Sequence, residues 1–107
     1  MFFKKKYDTI DVNQLNQLLK EKINLIDVRE VSEFKSMRVK GAKNIPLMGL
    51  VSNPQQFLKK DNKYYVICQS GARSARACSV LEKQGYNVIN VSGGTGTYAY
   101  KFRGDMA

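Results

Sequence analysis

The apolar positions of the chain fall into short runs that alternate between two periods. Val12, Leu15, Leu18 and Leu19 recur at helical spacing behind Asp11, which forms a capping pair with Gln14, so the pattern predicts a first helix ending near Lys22. Asn24-Leu25-Ile26-Asp27-Val28 is an apolar run closing on one carboxylate, as in a buried strand whose polar residue emerges at its C-terminal end. Residues 29–37 read as a short polar helix, residues 42–45 before Pro46 as a second strand, and residues 47–51 as a helical turn ahead of the Asn53-Pro54 break. Tyr64-Tyr65-Val66-Ile67 is β-rich and leads straight into Cys68. Residues 72–84 have the composition of a helix stopped by Gly85, and Asn87-Val88-Ile89-Asn90-Val91 is the last predicted strand.

Strands alternating with helices require crossover connections, so the expected class is α/β with a parallel sheet covered on both faces. At 107 residues this is one domain, with its core at about residues 8–102. Ligands of such sheets collect at the carboxyl ends of the strands, where Asp27, Cys68 and Ser92 are all expected. Tyr64, Tyr65, Leu47 and Met48 line an entrance or fill core, with core the default.

Composition narrows the function. The chain carries 18 Lys and Arg against 9 Asp and Glu, a formal charge of +9, which favours anionic partners. The basic residues are scattered, with no Arg-rich arm or aromatic ladder, so small anions are expected as partners and nucleic acid is not. The opening Met1-Phe2-Phe3-Lys4-Lys5-Lys6 has no apolar stretch after its charges, and no run approaches the length of a membrane span. The expectation is a cytoplasmic protein without membrane contact, the Lys4-Lys5-Lys6 run being a solvated edge. Two cysteines, Cys68 and Cys78, are too few for a disulfide framework or a Cys-only zinc site, and there is no histidine. A reactive cysteine here must be activated without imidazole.

Cys68-Gln69-Ser70-Gly71-Ala72-Arg73-Ser74 follows a predicted strand and opens a predicted helix, so successive backbone N–H groups can turn inward around the sulfur, with Gly71 giving the tight curvature. Lowering a thiol by two pKa units takes about 2.7 kcal/mol, and a helix dipole contributes only about 0.3–1 kcal/mol. Several N–H to sulfur hydrogen bonds and the cation of Arg73 are expected to supply the rest. The same cradle suits the terminal sulfur of a persulfide, and the loop itself contains no acidic residue. Cys78 falls beside Ala75 and Leu81 on one side of its predicted helix and reads as packing. Asp27 and Arg29 read as a local ion pair supporting a strand end, Arg76 stands outside the core site, and the glycines of Gly93-Gly94-Thr95-Gly96 read as a tight turn.

This loop resembles the active-site loop of the rhodanese family, with a cysteine, an inner glycine and an arginine in that arrangement. Leu25-Ile26-Asp27-Val28-Arg29-Glu30 with Glu33-Phe34, Gly41-Ala42-Lys43-Asn44-Ile45-Pro46-Leu47, and Val91-Ser92-Gly93-Gly94 are similar to three further signatures of the family, in its order. The resemblance implies a five-stranded parallel sheet flanked by helices and no metal or organic cofactor. It further implies a ping-pong cycle in which Cys68 alternates between thiol and persulfide, residues 69–74 cradle the sulfur, and Arg73 orients an anionic donor such as thiosulfate. Two departures stand out: Met37-Arg38-Val39-Lys40 replaces the usual Gly-His-Ile-Pro, and Tyr98 takes the place of a late tryptophan.

Two functions compete: a thiosulfate or polysulfide sulfurtransferase, and a carrier or sensing module passing a persulfide from a protein donor to a protein acceptor. A phosphatase or arsenate reductase of the same fold resembles this loop less, because its loop is one residue longer and wide enough for a tetrahedral oxyanion. Such an enzyme also wants a carboxylic acid, and none is in the loop.

Overall fold

The predicted strands do pair, but in an order different from that of the chain. The computed structural model describes residues 7–107. In chain order the elements are β1 (Asp8–Ile10), α1 (Val12–Leu18), β2 (Leu25–Asp27), α2 (Val31–Ser36), β3 (Lys43–Asn44), α3 (Leu47–Ser52), β4 (Lys63–Ile67), α4 (Ala72–Lys83), β5 (Asn87–Val91) and α5 (Gly94–Lys101), with 3-10 turns at Pro54–Gln56 and Arg103–Asp105. The five strands form one parallel sheet in the order β1-β5-β4-β2-β3. This is the α/β architecture that the alternation of periods and the family resemblance both imply.

Each central strand reads as a continuous apolar run because both of its faces are covered. Ile26, Val28, Tyr64, Val66 and Val88 pack with Leu50, Ala77, Cys78 and Leu81 in one cluster. The alternate residues Leu25, Tyr65, Ile67, Ile89 and Val91 pack with Val12, Leu15 and Tyr98 in the other. Tyr64 and Tyr65 are therefore core, whereas Met48 is exposed. The helix stop at Gly85 is a Schellman turn: at φ +93° its N–H reaches the Glu82 carbonyl, and Tyr86 N–H reaches back to Leu81 at 3.1 Å.

Several elements differ from expectation. The first helix stops at Leu18 rather than near Lys22, because Lys20 N–H bonds Gln17 and Glu21 N–H bonds Leu18, closing the end in three-residue turns. β1 was not legible as a strand; its parallel register Asp8↔Ile89, Thr9↔Asn90 and Ile10↔Val91 holds it at the sheet edge. Residues 93–96 are more than a tight turn: Gly93 turns the chain at φ +80° and Gly94 opens α5. The unusual segment around Arg38 pairs with the end of the chain, Arg38 and Ala107 exchanging backbone bonds of 3.1 and 2.8 Å. Lys40 Nζ donates to the Gly104 carbonyl at 3.2 Å, and the Arg38 guanidinium lies 5.0 Å over the Phe34 ring. Tyr98 is buried against Phe102 with ring centroids 5.0 Å apart, so it fills core as the absent tryptophan would. The Lys4-Lys5-Lys6 run lies outside the described residues, and no helix among those described is long and apolar enough to cross a membrane.

Candidate active site

Cys68 is the first residue past β4, and the backbone fixes it from two sides. Its carbonyl accepts Thr95 N–H at 2.8 Å and the Gln69 carbonyl accepts Gly96 N–H at 3.0 Å, so the first turn of α5 braces the back of the loop. That approach demands a glycine at 94, where φ is +64° and a Cβ would collide with the Cys68 carbonyl oxygen and lie 2.6 Å from the Gln69 carbonyl carbon. At Gly71 the demand is conformational: φ is +110°, while an added Cβ would meet its nearest neighbour, Gly93 N, at an ordinary 3.5 Å.

With that turn in place, Gly71 N–H donates to Cys68 Sγ at 3.1 Å, and the Ser74 hydroxyl lies 3.3 Å from Sγ and 3.1 Å from the Gly71 carbonyl. The first bond joining the helical ladder to the loop is Ala75 N–H to Gly71 at 3.1 Å, so the N–H groups ahead of it are not consumed by the helix. Burial pushes the Cys68 thiol up, but donation from the Ser74 hydroxyl and from the N–H groups of Ser74, Gly71 and Ser70 more than offsets it, leaving the thiol below its ordinary value. Cys78 lies in the same cluster with no such donors among the described residues, and burial, aided by negative charge at Cys68, pushes it up to about 12. The surroundings of one cysteine favour its ionised form, and those of the other oppose it.

The loop cation is engaged. Arg73 donates from Nη1 and Nη2 to the two oxygens of Glu33 at 2.7 and 2.9 Å, both side chains remaining about one-third exposed at 37% and 32%. These bonds hold the Glu33 carboxyl at about 2. The loop itself lacks acid, as its sequence says, but α2 brings one to it from 40 residues away. In the sequence Glu33 stands within the Leu25–Phe34 signature, and nothing there places it beside the cysteine loop. Held ionised, Glu33 is no proton donor at neutral pH.

Asp27, Cys68 and Ser92 do not converge as three reactive groups. Asp27 and Arg29 are 0% and 3% exposed and paired side to side, the guanidinium reaching Asp27 at 2.9–3.1 Å, the Met37 carbonyl at 2.7 Å and Gln69 Oε1 at 3.3 Å. Arg29 thereby ties the end of β2, the exit of α2 and the start of the loop together, a buried clamp rather than an exposed ion pair. The Ser92 hydroxyl donates to the Ile10 carbonyl of β1 at 3.1 Å, away from the sulfur. Gln69, Ser70 and Ala72 are exposed on the loop, Ser74 is buried beneath it, and Arg76 is exposed beyond it.

A thiol below its ordinary value in a ring of donors, with no carboxylate bonded to the sulfur among the described residues, can attack a sulfane sulfur and hold the resulting anion. The family model described as Rhodanese-like domain matches residues 11–99. Thiosulfate sulfurtransferase 18 of Arabidopsis thaliana is 38% identical over 101 residues, covering 80% of this chain and 74% of that protein. YrkF of Bacillus subtilis, named as a candidate sulfur carrier protein, is 40% identical over 72 residues, covering 66% of this chain. The reduced CoADR-RHD crystal structure from Bacillus anthracis superposes with a TM-score of 0.86 at 33% identity over 94% of the chain. The chain spans 38% of the length of YrkF and 18% of that of CoADR-RHD. With its sheet order, its cysteine loop and these relatives in agreement, the chain belongs to the rhodanese-like domain family.

Proposed function

We propose that the protein is a sulfurtransferase that moves sulfane sulfur from thiosulfate or a persulfide to a thiophilic acceptor through a persulfide on Cys68. The observation that carries this reading is the pair of contacts at the sulfur, Gly71 N–H at 3.1 Å and the Ser74 hydroxyl at 3.3 Å, in a chain without histidine. Those donors favour a thiolate and, one bond further out, an anionic persulfide, and neither is a strong proton acceptor. With thiosulfate, the Cys68 thiolate attacks the outer sulfur. That sulfur's bond to the sulfonate sulfur breaks, the electron pair leaves on sulfite, and Cys68 carries the sulfur as a persulfide anion. Cyanide or a thiolate then attacks the terminal sulfur and restores the Cys68 thiolate. Asp27 and Arg29 hold the loop in shape without touching the reacting atoms. A reduced cytoplasmic setting belongs to this reading, since an oxidised Cys68 would be silent.

A second reading, a carrier that takes its sulfur from another protein, is favoured by one feature: the Arg73 guanidinium is already bound to Glu33. Intact-mass spectrometry after incubation with thiosulfate and then cyanide tests both. A gain of about 32 Da, one sulfur atom, that cyanide discharges as thiocyanate and that Cys68→Ser abolishes is the expected result. Loading only from a protein persulfide would favour the carrier, and no loading from any donor on a folded protein would overturn both.

A further inference from the structure

Two guanidinium groups stand around the reactive loop, and both are paired. Arg29 is buried and spent on Asp27, Met37 and Gln69, so of these two guanidinium groups it is Arg73 that a molecule arriving from solvent can meet. Both prongs of the Arg73 fork are occupied by Glu33, in the bidentate geometry that an oxyanion donor would itself use. Glu33 is anchored in turn, its Oε1 also accepting Glu30 N–H at 3.0 Å at the start of α2. With its carboxyl held at about 2, it is ionised throughout the neutral range. A dianion seeking Arg73 must therefore displace a carboxylate and then remain beside it. A donor with less charge on its leaving group meets neither obstacle.

Building on the sulfur-transfer reading, we propose that Glu33 is a specificity-determining residue: by holding Arg73 it disfavours dianionic donors such as thiosulfate and selects sulfane donors whose leaving group carries one negative charge, the class of alkyl and protein persulfides. For such a donor, R–S–SH, the Cys68 thiolate attacks the terminal sulfur. The R–S to sulfur bond breaks, its electron pair leaves on R–S⁻, and the sulfur stays with its proton on Cys68.

The test compares thiosulfate with methanethiosulfonate, which offers the same transferable sulfur but carries a methyl group in place of one oxygen and so one charge fewer. In Glu33→Gln the side chain keeps its size and the oxygen that accepts Glu30 N–H, but loses its charge and turns an NH2 toward Arg73 Nη2 in place of the second accepting oxygen. The expected result is a rise of about fivefold in the thiosulfate to methanethiosulfonate ratio of kcat/KM, carried by KM for thiosulfate, as an exposed ion pair of ordinary strength would give. The rise should vanish in Glu33→Gln combined with Arg73→Gln, because the freed guanidinium is then gone. An unchanged ratio, or equal losses with both donors alongside a lowered Tm, would overturn the assignment and leave Glu33 a structural partner of Arg73. Failure of the unsubstituted protein to form a Cys68 persulfide with either donor and with an alkyl persulfide as well is a different result, and it would overturn the sulfur-transfer reading on which the assignment rests.

Discussion

The two cysteines of this chain differ by ten positions and by everything that decides reactivity. Both are buried, yet Cys68 has hydrogen-bond donors at its sulfur and Cys78 has apolar neighbours, so the same desolvation is overcome at one and pushes the other up to about 12. A small alkylating reagent should therefore modify one cysteine in the folded protein, with a pH-rate midpoint below that of an ordinary thiol, and peptide mapping should place the label on Cys68. Cys78 should stay unmodified until the protein unfolds. Ser74→Ala removes the hydroxyl 3.3 Å from the sulfur, which can turn its proton from the Gly71 carbonyl to the thiolate, and since a hydrogen bond to a charged group contributes about 1.5–3 kcal/mol, alkylation at neutral pH should slow by about tenfold. A rate equal to that of the unsubstituted protein would mean that the backbone donors suffice without the hydroxyl. Sequence alone pointed to Cys68 through the loop glycine and arginine. It could not show the Ser74 contact, which depends on Gly71 taking φ +110°.

Among the elements, α5 braces the back of the loop and was poorly legible. Its glycines looked like punctuation after the last strand, because glycine in a turn and glycine at a close backbone approach have the same sequence signature. Gly94→Ala should be severe: it places a Cβ against the Cys68 carbonyl at a left-handed φ of +64°, and both the collision and the strain act on the loop. A loss of about 3 kcal/mol or more is expected by chemical denaturation, together with lost sulfur loading at Cys68. Gly104→Ala, where nothing lies within 4 Å of an added Cβ and φ is not positive, should change stability by less than about 0.5 kcal/mol. Equal effects at the two positions would show that the approach of α5 to the loop is slack. The helix and strand periods were legible wherever an element is long or fully buried, as at α4, β4 and β5. They were not legible at β1, a three-residue edge strand whose structure comes from pairing with β5 rather than from its own side chains.

At the scale of the whole molecule, the contacts hardest to read were those between charges far apart in sequence. The Glu33 to Arg73 pair spans 40 positions, and nothing local to either residue announces it; it exists because β2 and β4 are neighbours in the sheet and so bring α2 and the start of α4 to the same edge. The pair also leaves a mark on global stability. Its carboxyl titrates at about 2 in the folded protein against 4.5 in an unconstrained chain, so the native state binds fewer protons than the unfolded state between those values. The stabilisation is therefore complete above about pH 4.5 and is lost as pH falls toward 2. Glu33→Gln cannot titrate, so the difference in unfolding free energy between the unsubstituted protein and this variant should be flat from pH 7 to about 5 and shrink on further acidification. The formal charge of +9 adds self-repulsion as other carboxylates protonate, but it does so almost equally in both proteins and largely cancels from the difference. Denaturant unfolding of the two proteins at closely spaced pH values measures that difference directly. A difference that stays constant down to pH 3 would mean that Glu33 titrates alike in the folded and unfolded chain, and that Arg73 is free to meet a donor after all.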